Sequence, residues 1–315
     1  MMALLSTVLS PTIAAHVYPD KPVRIVVPEA AGTRPDRIAR LVTPGLAAQF
    51  GQQFLVDNRS GAHGSLGSGM VARATPDGYT LLIGMPSTLT TTHRPGPKRP
   101  YDARKDFAPI GRISAAPYVL TAHPSMAATT VGEMIHLAKS RPGRLTYASG
   151  SRDSTAQLAM EMLKHLADID IKAVSHGAAS RLPDSLLDGR VSVSMLPVGE
   201  AMDHTRSGRL RPLGVTSRRR SSQLPDVPTL HESGLHGFDA STWIGLLAPA
   251  RTPENIRQRL SEALQRVVSN ADTQRQLVRK GMEPASGEAA SFADLLEREI
   301  AGYRRLSKPL PIRLP

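Results

Sequence analysis

Cysteine is absent from the 315 residues, which excludes disulfides, thiolate metal sites and cysteine nucleophiles and leaves the redox compartment open. Aromatics are scarce, 4% with a single tryptophan, so the core has to be assembled from Leu, Val, Ile, Ala and Met. No stretch supplies the roughly 18 to 20 consecutive apolar residues of a membrane span. The 10 histidines are scattered, without H-E-x-x-H or a comparable ligand spacing, and no metal site is expected. No G-x-S-x-G elbow occurs, so an α/β-hydrolase would have no nucleophile. Acidic residues are too few to balance the basic ones, 27 against 39, which leaves a formal charge of +12. The arginines are spread along the chain and aromatics for base stacking are few, so nucleic acid is not expected as a partner. A basic surface favours the arrival of small anions instead. The one dense run, Arg218-Arg219-Arg220, lies between Ser217 and Ser221 and reads as a solvated loop.

What is present is organised around residues 23–50. Val23 to Val27 is a β-branched, apolar strand that stops at Pro28, which cannot donate a ladder hydrogen bond. The loop from Glu29 to Pro35 is small enough for backbone to approach a ligand. Asp36 stands where an N-cap is expected, and Ile38, Leu41, Val42 and Leu46 recur at helical spacing up to Gly51. A strand that ends in a small-residue loop opening a helix presents free N–H groups and the positive end of a dipole, a geometry suited to anions. The same pattern also serves as an ordinary βα turn.

The alternation then continues. Strands are expected at 53–56 and 79–83 with a helix at 65–74 between them, and strand, helix, strand implies a parallel sheet with right-handed crossovers. The Pro-rich, basic segment 91–105 reads as an exposed connection, and two short strands follow, at 110–113 and 118–122. A second series has helices at 131–140, 154–166 and about 183–187, alternating with strands at 145–148, 171–174 and 191–195. Strands at 213–216 and 243–247 come next, and two amphipathic helices, around Leu260 and around Leu296, close the chain. Residues 2–15 resemble the apolar core and small-residue end of a secretory signal, with Thr12 and Ala14 at the −3 and −1 positions but no basic residue before it.

Several ordered segments stand out: Tyr18-Pro19-Asp20-Lys21-Pro22-Val23, Asp57-Asn58-Arg59 with Gly61-Ala62, Pro76-Asp77-Gly78-Tyr79, Tyr101-Asp102 with Phe107-Ala108-Pro109, and Arg141-Pro142-Gly143. The most specific run from Gly208-Arg209-Leu210-Arg211 through Leu224-Pro225-Asp226-Val227-Pro228-Thr229 to Trp243-Ile244-Gly245-Leu246-Leu247. Together they resemble one family, the substrate-binding proteins of tripartite tricarboxylate transporters, also called Bug-type periplasmic receptors. The resemblance implies an α/β fold, the two-lobed type II periplasmic binding protein or Venus flytrap, each lobe a mainly parallel sheet flanked by helices. It divides the chain into a signal remnant at 1–17, one lobe from 18–117 with 239–315, and a second from 118–238. It implies an exported, soluble, monomeric receptor for a small carboxylate, with no catalysis and no cofactor, that serves a membrane transporter or a sensor.

Carried over position by position, the ligand residues are Glu29, Ala30, Ala31, Gly32 and Thr33 after the first strand, and Ser87 and Thr88 after the third. From the second lobe come Ser149, Ser151, Asp153, Ser154 and Thr155, opening a helix, with His176 and Gly177. Five positions depart from the family pattern. Glu29 replaces an aromatic, Thr33 a second glycine, Ser175-His176 a tyrosine-lysine pair, and Leu196 an acid that would answer a ligand ammonium group. Glu29 and Asp153 place negative charge beside an anion, which Arg34 or Arg152 would have to offset. Two other readings stand beside the receptor. One is a degenerate receptor serving as a protein-interaction module; the other is an enzyme that uses Gly67-Ser68-Gly69-Met70-Val71-Ala72 as a G-x-G-x-x-A dinucleotide fingerprint.

Overall fold

The computed structural model describes residues 18–90, 100–149, 155–175, 182–287 and 289–306. The first part contains β1 (Val23–Val27), α1 (Arg34–Phe50), β2 (Phe54–Asn58), α2 (Ser65–Ala72), β3 (Thr80–Gly84), the single-turn α3 (Pro86–Leu89) and β4 (Phe107–Ala122). The middle contains α4 (Val131–Ser140), β5 (Thr146–Ser149), α5 (Thr155–Ala167), β6 (Lys172–Ser175), α6 (Leu182–Leu187), β7 (Val193–Pro197), α7 (Val198–Arg206) and β8 (Arg211–Val215). The chain returns through β9 (Ser241–Pro249), α8 (Glu254–Ser269), α9 (Ala271–Arg279), β10 (Glu283–Gly287) and α10 (Ala289–Leu306).

The strands join in the order β2-β1-β3-β9-β4-β7-β5-β6, with β8 and β10 also paired to β4. The β1–β2, β1–β3, β5–β6 and β5–β7 pairs are parallel. Every antiparallel pair involves β4 or β9. The two short strands expected between 110 and 122 are one strand of 16 residues. Register shifts at Pro109/Gly111 and Arg112/Ser114 interrupt its alternation, which is why the sequence reads as two runs. The first part of β4 lies against β9, and residues 118–122 lie against β7 and β8.

Two sets of apolar side chains follow that division. One holds Ile25, Ile38, Leu81, Ile110, Leu246 and Leu264. The other holds Tyr118, Leu120, Tyr147, Leu163, Val193 and Phe238. Local signals explain the helix limits. Gly51, at φ 67°, closes α1 through its N–H to the Ala47 carbonyl, and Thr130 with Glu133 forms a capping box on α4. Helix α1 begins at Arg34, with Pro35 in its first turn, so Asp36 is not the N-cap but a first-turn residue. The structure also contains the short elements α9 and β10.

Helix α10 is fastened to the sheet at two points. Phe292 meets Trp243 edge-on, ring centres 5.0 Å apart. It lies so close to Gly245 that a Cβ there would fall 2.4 Å from the ring. One turn beyond Leu295, Glu299 accepts the Trp243 indole N–H at 3.0 Å and the Thr90 hydroxyl at 2.8 Å. Burial pushes the Glu299 carboxyl up to about 7, against the pull of those two hydrogen bonds. A carboxyl raised above its unfolded value near 4.3 favours the folded state most at low pH and loses that contribution as pH climbs toward its folded value. Glu299→Gln keeps an oxygen for both donors and has no such titration. In urea unfolding, the variant should therefore gain on the wild type as pH rises from about 5 to 7. A difference that stays constant over this range would show that Glu299 ionises normally.

Candidate functional site

Because β1 and β3 are parallel neighbours, the loops that leave their carboxyl ends are side by side. The first, Glu29 to Thr33, is held from below. The Gly32 N–H donates to Asp36 at 2.9 Å, and Gly32 itself sits at φ +80°, a conformation glycine adopts without strain. The Thr33 hydroxyl donates to the Ala30 carbonyl at 2.7 Å, and the Asn58 amide donates to the Glu29 carbonyl at 3.1 Å. Arg40 ties the brace together, reaching Asp36 at 3.0 Å and Asn58 at 3.1 Å. The Asp57-Asn58-Arg59 motif thus has a structural purpose. The N–H groups of Ala30 and Ala31, both exposed, meet no hydrogen-bond partner among the described residues.

Of the second loop, Ser87 is exposed, whereas Thr88 is 1% exposed with its hydroxyl donating to the Met85 carbonyl at 3.0 Å. Thr88 also packs on Gly64, whose Cβ, if present, would lie 2.6 Å from its methyl group. Its hydroxyl serves the turn, so of this pair only Ser87 is turned outward. The dinucleotide reading of Gly67 and Gly69 finds a different use for both. A Cβ at Gly67 would fall 2.7 Å from the Arg59 carbonyl, and one at Gly69 would fall 2.8 Å from Pro100, so these glycines permit α2 to pack closely.

Across from these loops, β5 and β6 end at Ser149 and Ser175, paired in parallel register. Thr155 is the first residue of α5 and is 7% exposed. Ser151, Asp153, Ser154, His176 and Gly177 lie outside the described residues, as does Arg152. What draws the two sides together is a cluster the sequence reading did not assemble. Thr155 is hydrogen-bonded to the Tyr118 phenol, which lies within the field of Arg34 and Glu200. Arg34, one residue past the first loop, pairs with Glu200 of α7 at 3.2 Å. Burial raises the Tyr118 phenol above its ordinary value, and the Arg34 charge and the Thr155 bond oppose that rise. Tyr118 sits in an apolar run and Glu200 in a helix between two strands, so neither carries a local signal of a site.

Two carboxyl groups flank this loop, and their surroundings push them in opposite directions. Burial raises the Glu29 carboxyl, while the Thr33 hydroxyl and the Arg34 charge pull it down. For Asp36, burial alone would raise the carboxyl, but Arg40, the Gly32 N–H and Asn58 outweigh it and hold the group below the ordinary carboxylate range. No group of His, Asp and Glu able to hold a metal occurs among the described residues. A depressed carboxylate contributes stability above its unfolded value and loses it as pH falls through its folded one. Asp36→Asn should therefore cost about 1 to 3 kcal/mol at pH 7, with the gap to wild type closing below about pH 4. Urea unfolding across that range decides it; a gap unchanged by acid would mean that the charge does not hold the loop.

Comparison with known proteins agrees with this geometry. The family model described as "Tripartite tricarboxylate transporter family receptor" matches residues 38–310. BugT of Bordetella pertussis is 31% identical over 258 residues, covering 80% of this chain and 79% of that protein. A Rhodopseudomonas palustris protein solved with adipate is 30% identical, with TM-score 0.73 over 92% of this chain and 97% of that one. MatC from the same organism, solved with malate, is 29% identical, with TM-score 0.70 over 92% of this chain and all of that one. The fold is accordingly the two-lobed α/β fold of these binding proteins, which are receptors and not enzymes. This chain belongs to the tripartite tricarboxylate transporter receptor family.

Proposed function

We propose that this chain is an exported receptor that closes around a small dicarboxylate and delivers it to the membrane subunits of a tripartite transporter. The observation that carries this reading is the convergence of Arg34, Tyr118 and Thr155 where the Glu29–Thr33 loop meets α5. Arg34 supplies a charge for one carboxylate. The N–H groups of Ala30 and Ala31 and the hydroxyls of Ser87 and Thr155 are donors for the rest, arranged as short anions require. The adipate and malate found on the two relatives are ligands of this class. Leu196, buried at the end of β7, offers no charge to an ammonium group, which favours a plain acid over an amino acid in this cleft.

In this reading, residues 18–117 and the segment from 239 onward form one lobe, residues 118–238 form the other, and ligand seats between them. The division of the apolar side chains between Ala116 and Tyr118 supports those limits. Residues 2–15 serve as the export signal. Glu200 pairs with Arg34 across the cleft, and a ligand carboxylate exchanges with it for that cation.

Thermal unfolding of the purified chain against adipate, malate and tricarboxylates tests the reading. A ligand at a hundred times its Kd should add about 2.7 kcal/mol of stability. Thr155→Val and Ser87→Ala should each weaken binding by about 1 to 3 kcal/mol, read by calorimetric titration. No shift with any acid would turn the interpretation to a receptor that has lost its ligand and acts through protein contacts.

A further inference from the structure

One cavity of the described residues shares no lining residue with that cluster. It measures about 700 Å3, within the range of small-molecule sites, and none of the sequence-predicted ligand residues lines it. Its walls come from α5, the connection between β8 and β9, the middle of β4, and α10. Leu158, Met162 and Leu295 form an apolar side. The charged side chains that line it include Arg112 on β4, Asp239 before β9 and Arg298 on α10, together with the Arg218–Arg220 run, Glu283 and Glu299.

The first three groups are poised without being joined. The side chains of Arg112, Asp239 and Arg298 make no hydrogen bond or ion pair among the described residues, although each lies within the field of the others. The Arg112 Nε is shielded from solvent and still lacks an acceptor. Burial lowers the Arg112 guanidinium and raises the Asp239 carboxyl, the response of charges held partly out of water. Glu299, which also lines the cavity, is engaged by Trp243 and Thr90, so it does not take the open guanidinium. A desolvated donor without an acceptor is costly, and a bound anion would relieve that cost.

We propose that this cavity is a second ligand site, for a small organic acid that bears a hydroxyl or ammonium group beside its carboxylate and an apolar body. The carboxylate meets Arg112 and Arg298, the neighbouring donor meets Asp239, and the apolar body lies on Leu158, Met162 and Leu295. This site stands independently of the receptor reading, since it shares no residue with the Arg34, Tyr118 and Thr155 cluster.

Calorimetric titration of the purified chain with phenyllactate, phenylalanine and 3-phenylpropionate tests it. Phenyllactate or phenylalanine should bind, and 3-phenylpropionate, which lacks the second donor, should bind about tenfold more weakly or worse. Arg112→Gln should weaken the best probe by about tenfold or more. Gly302→Leu is the second variant: Gly302 lines the cavity and a Cβ there meets nothing within 4 Å, so the substitution adds volume to the cavity wall. It should abolish the titration, with thermal unfolding unchanged or raised. Thr155→Val should leave the probe's affinity as it was, and adipate and malate should not displace it. The proposal is overturned if none of the three probes binds up to millimolar concentration, or if 3-phenylpropionate binds as well as the others. It is equally overturned if binding survives both Arg112→Gln and Gly302→Leu but is lost in Thr155→Val, which would assign the probe to the cleft.

Discussion

Both sets of core side chains depend on a single strand. At 16 residues and roughly 3.3 Å per residue, β4 is about 50 Å long, enough to enter one core and leave through the other. Its hydrogen bonds change partner on the way, from β9 and β10 to β7 and β8. The change comes at Pro117 and Tyr118: Pro117 is the last residue paired to β9, and Tyr118 the first paired to β7. The parallel strands on either side are thereby set so that the loops of one lobe confront those of the other. Tyr118 lies at the hand-over and carries its phenol to Thr155. The helices that close the chain reinforce the same strand pair, α10 through Phe292 and Glu299 against Trp243 of β9.

Several polar groups around these loops hold their shape. Asp36, Arg40 and Asn58 are consumed in bracing the Glu29–Thr33 loop, as Thr88 is in its own turn. Such satisfied networks define one loop geometry, because breaking any member leaves a shielded polar group unpaired. Arg34 is different in kind. It is partly exposed and its partner Glu200 is on the opposite side, so the pair is weak in water and readily exchanged for another carboxylate. Glu29 raises the electrostatic cost of an anion beside it, and Arg34, next to it in the fold and within its field, offsets that cost.

Much of this was legible from local patterns. The strand at Val23–Val27, the helix at Val131–Ser140 and the αL glycine at Gly51 follow from β-branched runs, a capping box and a stop signal, each decided within a few residues. The ordered motifs from Tyr18 to Leu247 pointed to the family through their spacing. Local patterns misled where neighbours in space decide the outcome. Asp36 reads as a cap, but Pro35 starts the helix earlier and turns the carboxylate to Gly32 and Arg40. Two runs between 110 and 122 read as two strands, because register shifts against β9 break the period of one. Gly67 and Gly69 read as a phosphate fingerprint, and contacts with Arg59 and Pro100 give them a packing role.

The sequence by itself determined most of the elements and the family, since short-range periodicity, turn chemistry and motif order are properties of neighbouring residues. Only the tertiary structure decided which polar groups face one another. Arg34 and Glu200 are joined across 166 positions, and Trp243 and Glu299 across 56. Arg112, Asp239 and Arg298 are brought around one cavity by three separate elements. Pairings over such distances are set by how β4 and β9 carry the two lobes past each other, and no local pattern in the chain encodes them.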